Sequence, residues 1–142
     1  IVRSLVGSEM CIRDRPTGYL VFSPGGKVGE VGQADLVESG QEDLVRSYAI
    51  TAHMFGFKIL YLEAGSGAQT QVDRESILAA RETEELCLIV GGGIRTREQA
   101  AYASSAGANW IVTGTLTEDA ADMDDLRNKI SEVVSGIQSS SS

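Results

Sequence analysis

Cysteine is nearly absent. Cys11 and Cys87 are the only two in 142 residues, too few and too far apart for a disulfide framework or a metal-ligand spacing. That scarcity fits a reducing compartment, so a cytoplasmic protein is expected. Basic charge is also short: 12 Lys and Arg stand against 20 Asp and Glu, for a net charge of -8. Such a balance argues against a general nucleic-acid partner or a polybasic membrane-surface role. No apolar run approaches the roughly 20 residues of a membrane-spanning helix, so no transmembrane segment is expected. Histidine is reduced to His53, set in an amphipathic segment and read as packed or solvated rather than catalytic. Glycine, in contrast, is plentiful, and most of the 16 residues gather at a few places.

The stretch Leu5 to Arg15 (LVGSEMCIRDR) has neither strand nor helix period. It resembles, without a gap, a translated transposase-type sequencing adapter. It lacks the basic start, long apolar centre and small-residue cleavage site of a signal peptide, and residues 1–15 are set aside as foreign to the fold. The gene is expected to continue upstream of Pro16.

From Pro16 onward, short apolar runs alternate with amphipathic segments. The runs are Tyr19–Phe22, Ile59–Leu62, Leu86–Val90 and Trp110–Val112, each bounded by glycine and rich in β-branched or aromatic residues. They read as buried parallel strands. Between them, Glu42–Phe55 places Leu44, Val45, Tyr48, Ala52 and Phe55 near one helical face, with Gly56 closing the helix. Asp73 is placed to cap a helix through Ile77, Leu78 and Ala80 to about Glu84. Thr96 and Gln99 form a capping box for a third helix, ending near Gly107. Met123, Leu126, Ile130, Val133 and Ile137 mark a fourth. Residues 16–138 thus form one α/β domain, followed by a disordered serine tail at 139–142.

Four strand-helix units with no antiparallel signature make either an open doubly wound sheet or half of an eight-stranded barrel. The glycines favour the half-barrel, taken as strands five to eight of a (β/α)8 TIM-type fold. Each strand ends in a glycine-bearing segment: Pro24-Gly25-Gly26, Ala64-Gly65-Ser66-Gly67, Gly91-Gly92-Gly93 and Gly114-Thr115. In parallel βα units these ends share one face, and barrel loops of this kind form phosphate sites. Glycine lets backbone N–H groups approach an anion unobstructed, and helix N-termini add oriented donors. An acidic protein can hold a phosphate this way. Tyr61 and Glu63 lie two residues apart on one side of a strand. Glu63 would repel the phosphate itself and so should meet hydroxyl groups beside it.

Tyr61 through Ala68, Leu88 through Arg95, Ala106-Gly107-Ala108 and Val112 through Thr115 together resemble the geranylgeranylglyceryl phosphate synthase family. Tyr19 to Pro24 with Val28 to Gly32 is similar to that family's fifth strand and its loop. The resemblance spans about Gly18 to Glu118 and implies ether formation. In that reaction the 3-hydroxyl of sn-glycerol 1-phosphate attacks C1 of a prenyl diphosphate, geranylgeranyl diphosphate for this family, with Mg2+ aiding departure of the diphosphate. Carried over by position, the resemblance assigns the glycerol phosphate to Tyr61, Leu62, Glu63, Ala64, Gly65, Ser66, Gly67, Gly92, Gly93, Gly114 and Thr115. Glu63 is the expected catalytic residue, orienting the hydroxyls. Metal ligands and most of the prenyl tunnel are expected in the other half of the barrel, not at Asp14 or Asp35. The intact enzyme is expected to be a homo-oligomer, and transient contact with membrane lipid is left open.

Two other readings stay open at this point. One is another phosphate-substrate barrel, an isomerase or a thiamin-phosphate-type synthase; the other is a non-catalytic phosphate-binding half-barrel. Arg95 and Lys27 are each left between a phosphate role and a solvated one. Trp110 is read as wall packing and Cys87 as a small buried hydrophobe. A half-barrel leaves sheet edges open, so the chain alone is expected to be inactive and poorly soluble.

Overall fold

A computed structural model describes residues 15–139. Residues 1–14 and 140–142, which carry nearly all of the adapter-like stretch and the end of the serine tail, lie outside the described residues. The elements run β1 (Thr17–Val21), α1 (Gly26–Gly32), α2 (Glu42–Met54), β2 (Ile59–Glu63), α3 (Arg74–Arg81), β3 (Cys87–Gly91), α4 (Arg97–Ser105), β4 (Trp110–Val112), α5 (Thr115–Glu118) and α6 (Met123–Ser139). The strands form one sheet in the order β1-β2-β3-β4, and every pairing is parallel. Tyr19 is opposite Tyr61, Val21 opposite Glu63, and Glu63 opposite Gly91. The fold is the expected α/β half-barrel.

Strand alternation divides the residues between two faces. Leu60, Leu62, Leu88 and Val90 are buried to 1% exposure or less and form the core with Val45, Ala49, Ile77, Ala80, Ala100 and Ala103 of the covering helices. Each leucine buried there contributes roughly 1.5–3 kcal/mol. Tyr61 and Ile89, on the other face, are only half-buried. The described chain supplies helices to one side alone, as a half-barrel with an uncovered interior requires.

Helix starts follow the sequence. The Asp73 side chain accepts from the Ser76 N–H at 2.9 Å and from the Ser76 hydroxyl at 3.0 Å. Thr96 and Gln99 close a complete capping box. Gly136 of α6 sits directly on the Arg97 carbonyl, where a Cβ would collide. The last helix therefore crosses the start of α4 at backbone contact.

Several expectations are corrected. In α2 the buried stripe is Val45, Ala49 and Ala52, whereas Leu44, Tyr48 and Phe55 are exposed. Among the described residues their side of the helix meets little, Phe55 only tilting against the Phe57 ring at 6.4 Å. Likewise Leu78 points outward from α3, and Trp110 is exposed rather than packed in a wall, because it lies opposite Ile89 on the open face of the sheet. Cys87 is half-buried on the open face of the sheet. Helix α1 was read as loop. It forms despite three glycines because a Cβ at Gly29 would press within 3.0 Å of the Leu36 side chain, so the close seat outweighs the propensity cost of about 1 kcal/mol per glycine. Ser139, assigned to the tail, closes α6 with its hydroxyl on the Gly136 carbonyl at 2.9 Å.

Candidate functional site

The strand ends converge as parallel topology requires. The loops after β1 and β2 meet main chain to main chain: a Cβ on Gly65, at φ 102°, would lie 2.8 Å from Gly25 C and Gly26 N. Gly92, at φ 85°, is wedged against the next loop, and a Cβ there would lie 2.7 Å from both Glu63 Oε1 and the Gly65 nitrogen. Only glycine satisfies both the left-handed backbone and the close approach. The loop after β2 also reaches the start of α5, with the Gly67 N–H donating to Thr115 Oγ1 at 3.1 Å.

These loops enclose a cavity of about 130 Å³ lined by Glu63, Ser66, Gly67, Gly92, Gly93, Ile94, Arg95, Val112, Thr113, Gly114 and Thr115. That volume suits a small polar head group rather than a long hydrocarbon chain. Among the described residues, no hydrogen bond engages the backbone N–H of Ser66, Gly92, Gly93, Gly114 or Thr115. Unused main-chain donors facing a small cavity are the chemistry of an anion seat. Thr115 can accept from Gly67 while its own O–H remains able to donate.

Glu63 borders this seat and is 8% exposed. Its Oε1 accepts the Gly65 N–H at 2.7 Å, and the Tyr19 hydroxyl donates to Oε2 at 3.4 Å. Burial, reinforced by the charge and hydrogen bond of Glu63, pushes the Tyr19 phenol up to about 12. Burial, then the hydrogen bond and charge of the same carboxylate, pushes Tyr61 up as well. Both phenols therefore stay protonated near neutral pH and able to donate.

Of the residues expected at the site, Glu63, Ser66, Gly67, Gly92, Gly93, Gly114 and Thr115 line the cavity together. Tyr61 stands behind them, its hydroxyl over Gly91 beside Glu63 Oε2. Leu62 has its side chain fully buried in the core on the opposite face, so its side chain does not reach the cavity. Period-two alternation from Glu63 already separates it. Ala64 is buried with its N–H on the Gly91 carbonyl, and Gly65 backs onto the β1 loop, so both shape the cavity without lining it. Arg95 does line it, while Lys27 is exposed on α1 and is not among the lining residues. Ile94, Val112 and Thr113 were missed, although the Val112-Thr113-Gly114-Thr115 run contained the signal. Among the described residues no three His, Cys, Asp or Glu side chains are grouped to hold a metal ion, and no helix is long and apolar enough to cross a membrane.

Comparison with known proteins gives a consistent picture. The sequence pattern of the PcrB family matches residues 5–136, reaching back into the adapter-like stretch. The chain is 44% identical over 131 residues to geranylgeranylglyceryl phosphate synthase of Methanothermobacter thermautotrophicus, covering 92% of this chain and 52% of that protein. A crystal structure of (S)-3-O-geranylgeranylglyceryl phosphate synthase from Thermoplasma acidophilum, in complex with its substrate sn-glycerol-1-phosphate, superposes with a TM-score of 0.81. Its identity is 39%, with coverage of 92% of this chain and 50% of that one. Wild-type GGGPS from Thermoplasma volcanium gives a TM-score of 0.84 at 39% identity, over 92% of this chain and 51% of that one. The chain spans about half the length of the relatives it matches.

Proposed function

The chain belongs to the PcrB family, and from that premise we propose that it is the glycerol-phosphate-binding half of a geranylgeranylglyceryl phosphate synthase-type prenyltransferase. The observation that carries this reading is the convergence of Ser66, Gly93 and Gly114 on one small cavity with Glu63 at its border. Backbone amides of the three loops hold the phosphoryl group, and Arg95 adds positive charge at the rim. A phosphate seated there is repelled by Glu63, so the alcohol end of the ligand turns toward the carboxylate.

Glu63 accepts hydrogen bonds from the glycerol hydroxyls and orients the one that attacks. In the proposed reaction the 3-hydroxyl oxygen forms a bond to C1 of the prenyl diphosphate, and the C1–O bond to diphosphate breaks with its electron pair leaving on the diphosphate. Glu63 is the group placed to take the proton released. The cavity suits a head group rather than a prenyl chain, which would therefore lie outside it. Magnesium would stabilise the leaving diphosphate, but the described residues assemble no ligand set for it.

The reading is tested by binding. Ligand-observed NMR on the dilute chain should detect both sn-glycerol 1-phosphate and inorganic phosphate, with the former held more tightly. Glu63→Ala should weaken sn-glycerol 1-phosphate by about tenfold to a hundredfold, the range for hydrogen bonds to a charged group, and change phosphate far less. Equal losses for the two ligands, or no preference in the parent chain, would defeat the assignment.

A further inference from the structure

Tyr19 lies outside the cavity and matches no expected site residue, yet its surroundings tie it to Glu63. Register places it directly opposite Tyr61 on the neighbouring strand, so their side chains emerge on one face, and their rings stack at 4.8 Å with an 11° interplanar angle. Glu63, two residues beyond Tyr61, emerges on the same face. Gly91 and Gly92 leave room for this cluster: a Cβ on Gly91 would crowd the Tyr61 hydroxyl and come within 3.2 Å of Glu63 Oε2. The two carboxylate oxygens are consequently held from opposite sides. Oε1 is held by the Gly65 N–H at 2.7 Å and Oε2 by the Tyr19 hydroxyl at 3.4 Å.

A carboxylate at the end of a three-torsion side chain rotates freely unless both oxygens are engaged. In a site that must orient hydroxyl groups, such rotation wastes the geometry. We propose that Tyr19 is a positioning residue: with its ring braced on Tyr61, it fixes the plane of the Glu63 carboxylate and so sets selectivity for polyol phosphates over plain phosphate. The inference rests on the glycerol-phosphate reading of the same cavity. Tyr19 acts through Glu63 and touches no ligand itself.

Tyr19→Phe tests it, since the stacked ring is kept and only the hydroxyl is lost. The ratio of sn-glycerol 1-phosphate affinity to inorganic phosphate affinity should fall about three- to tenfold, as expected for one modest hydrogen bond to a charged partner. An unchanged ratio in a chain that prefers sn-glycerol 1-phosphate overturns this inference alone. A parent chain with no such preference sinks the functional reading, and this one with it. A second readout needs no ligand: the 13Cζ signal of Tyr19 should titrate at lower pH in Glu63→Gln than the value of about 12 in the parent chain, the part of the rise due to burial remaining. A titration unmoved by that substitution shows that the phenol is not bound to the carboxylate and overturns the proposal.

Discussion

On the helix-covered face of the sheet, Leu60, Leu62, Leu88 and Val90 are buried almost completely, whereas on the open face β4 leaves Trp110 64% exposed and Val112 41% exposed. The same open face of β1 is similar, with Tyr19 at 48%. All four strands are written in the same short apolar vocabulary. A run of such residues thus decides that a strand forms, while burial is decided by what lies on either side of it. Among the described residues the core face has helices packed on it and the open face does not, and an exposed sheet face and edges carrying aromatic side chains are association surfaces.

The largest test of that contrast pairs one substitution from each region. Leu62→Ala should destabilise the chain by about 2–5 kcal/mol, the range for a fully buried leucine. Val112→Ala at the edge should cost well under half as much, with chemical denaturation measuring both. Comparable losses would mean that β4 is covered in solution. Next in size, Gly92→Ala should destabilise by about 1–3 kcal/mol, because it forces a side chain into a left-handed backbone. It should also abolish phosphate binding, which Val112→Ala should spare; NMR titration separates the two effects.

A third test uses pH and compares the edge phenol with the core. Tyr19 has its folded value raised to about 12 from the ordinary 10. The stabilisation from its neutral form is complete below pH 10 and fades as pH climbs through 12, because the unfolded chain releases that proton first. Tyr19→Phe should therefore flatten the alkaline fall in denaturation midpoint between those limits. Smallest in free energy, Trp110→Lys should shift stability by no more than about 0.5 kcal/mol, as is usual at exposed positions. It should still raise the concentration at which the chain stays monodisperse by light scattering; the edge is irrelevant to association if it does not.

The same contrast explains what was legible in advance. Strand positions, the Asp73 cap and the Thr96–Gln99 box were readable because they depend on residues close in sequence. The face of α2 was misread because Leu44, Tyr48 and Phe55 satisfy a helical period as well as Val45, Ala49 and Ala52 do, and only tertiary neighbours choose between them. Helix α1 was hidden by its glycines, of which Gly29 packs against Leu36 and Gly26 against the Gly65 loop, contacts that no local rule contains. At the site, glycine clusters marked the loops correctly. Leu62 was swept in with its motif because a contiguous resemblance does not distinguish the two faces of a strand. Tyr19 escaped notice because its link to Glu63 crosses between strands, visible only once the register is known.

The bond from Gly67 to Thr115 joins the second loop to the fourth. The lining of the cavity is thereby drawn from three successive units of this chain. An anion seat finished in this way is portable: an opposing set of four strands can vary in what it brings, a different metal cradle or a longer hydrocarbon channel, without the phosphate anchor having to be rebuilt each time. Diversity among such barrels can then accumulate in one half while the other keeps the grip.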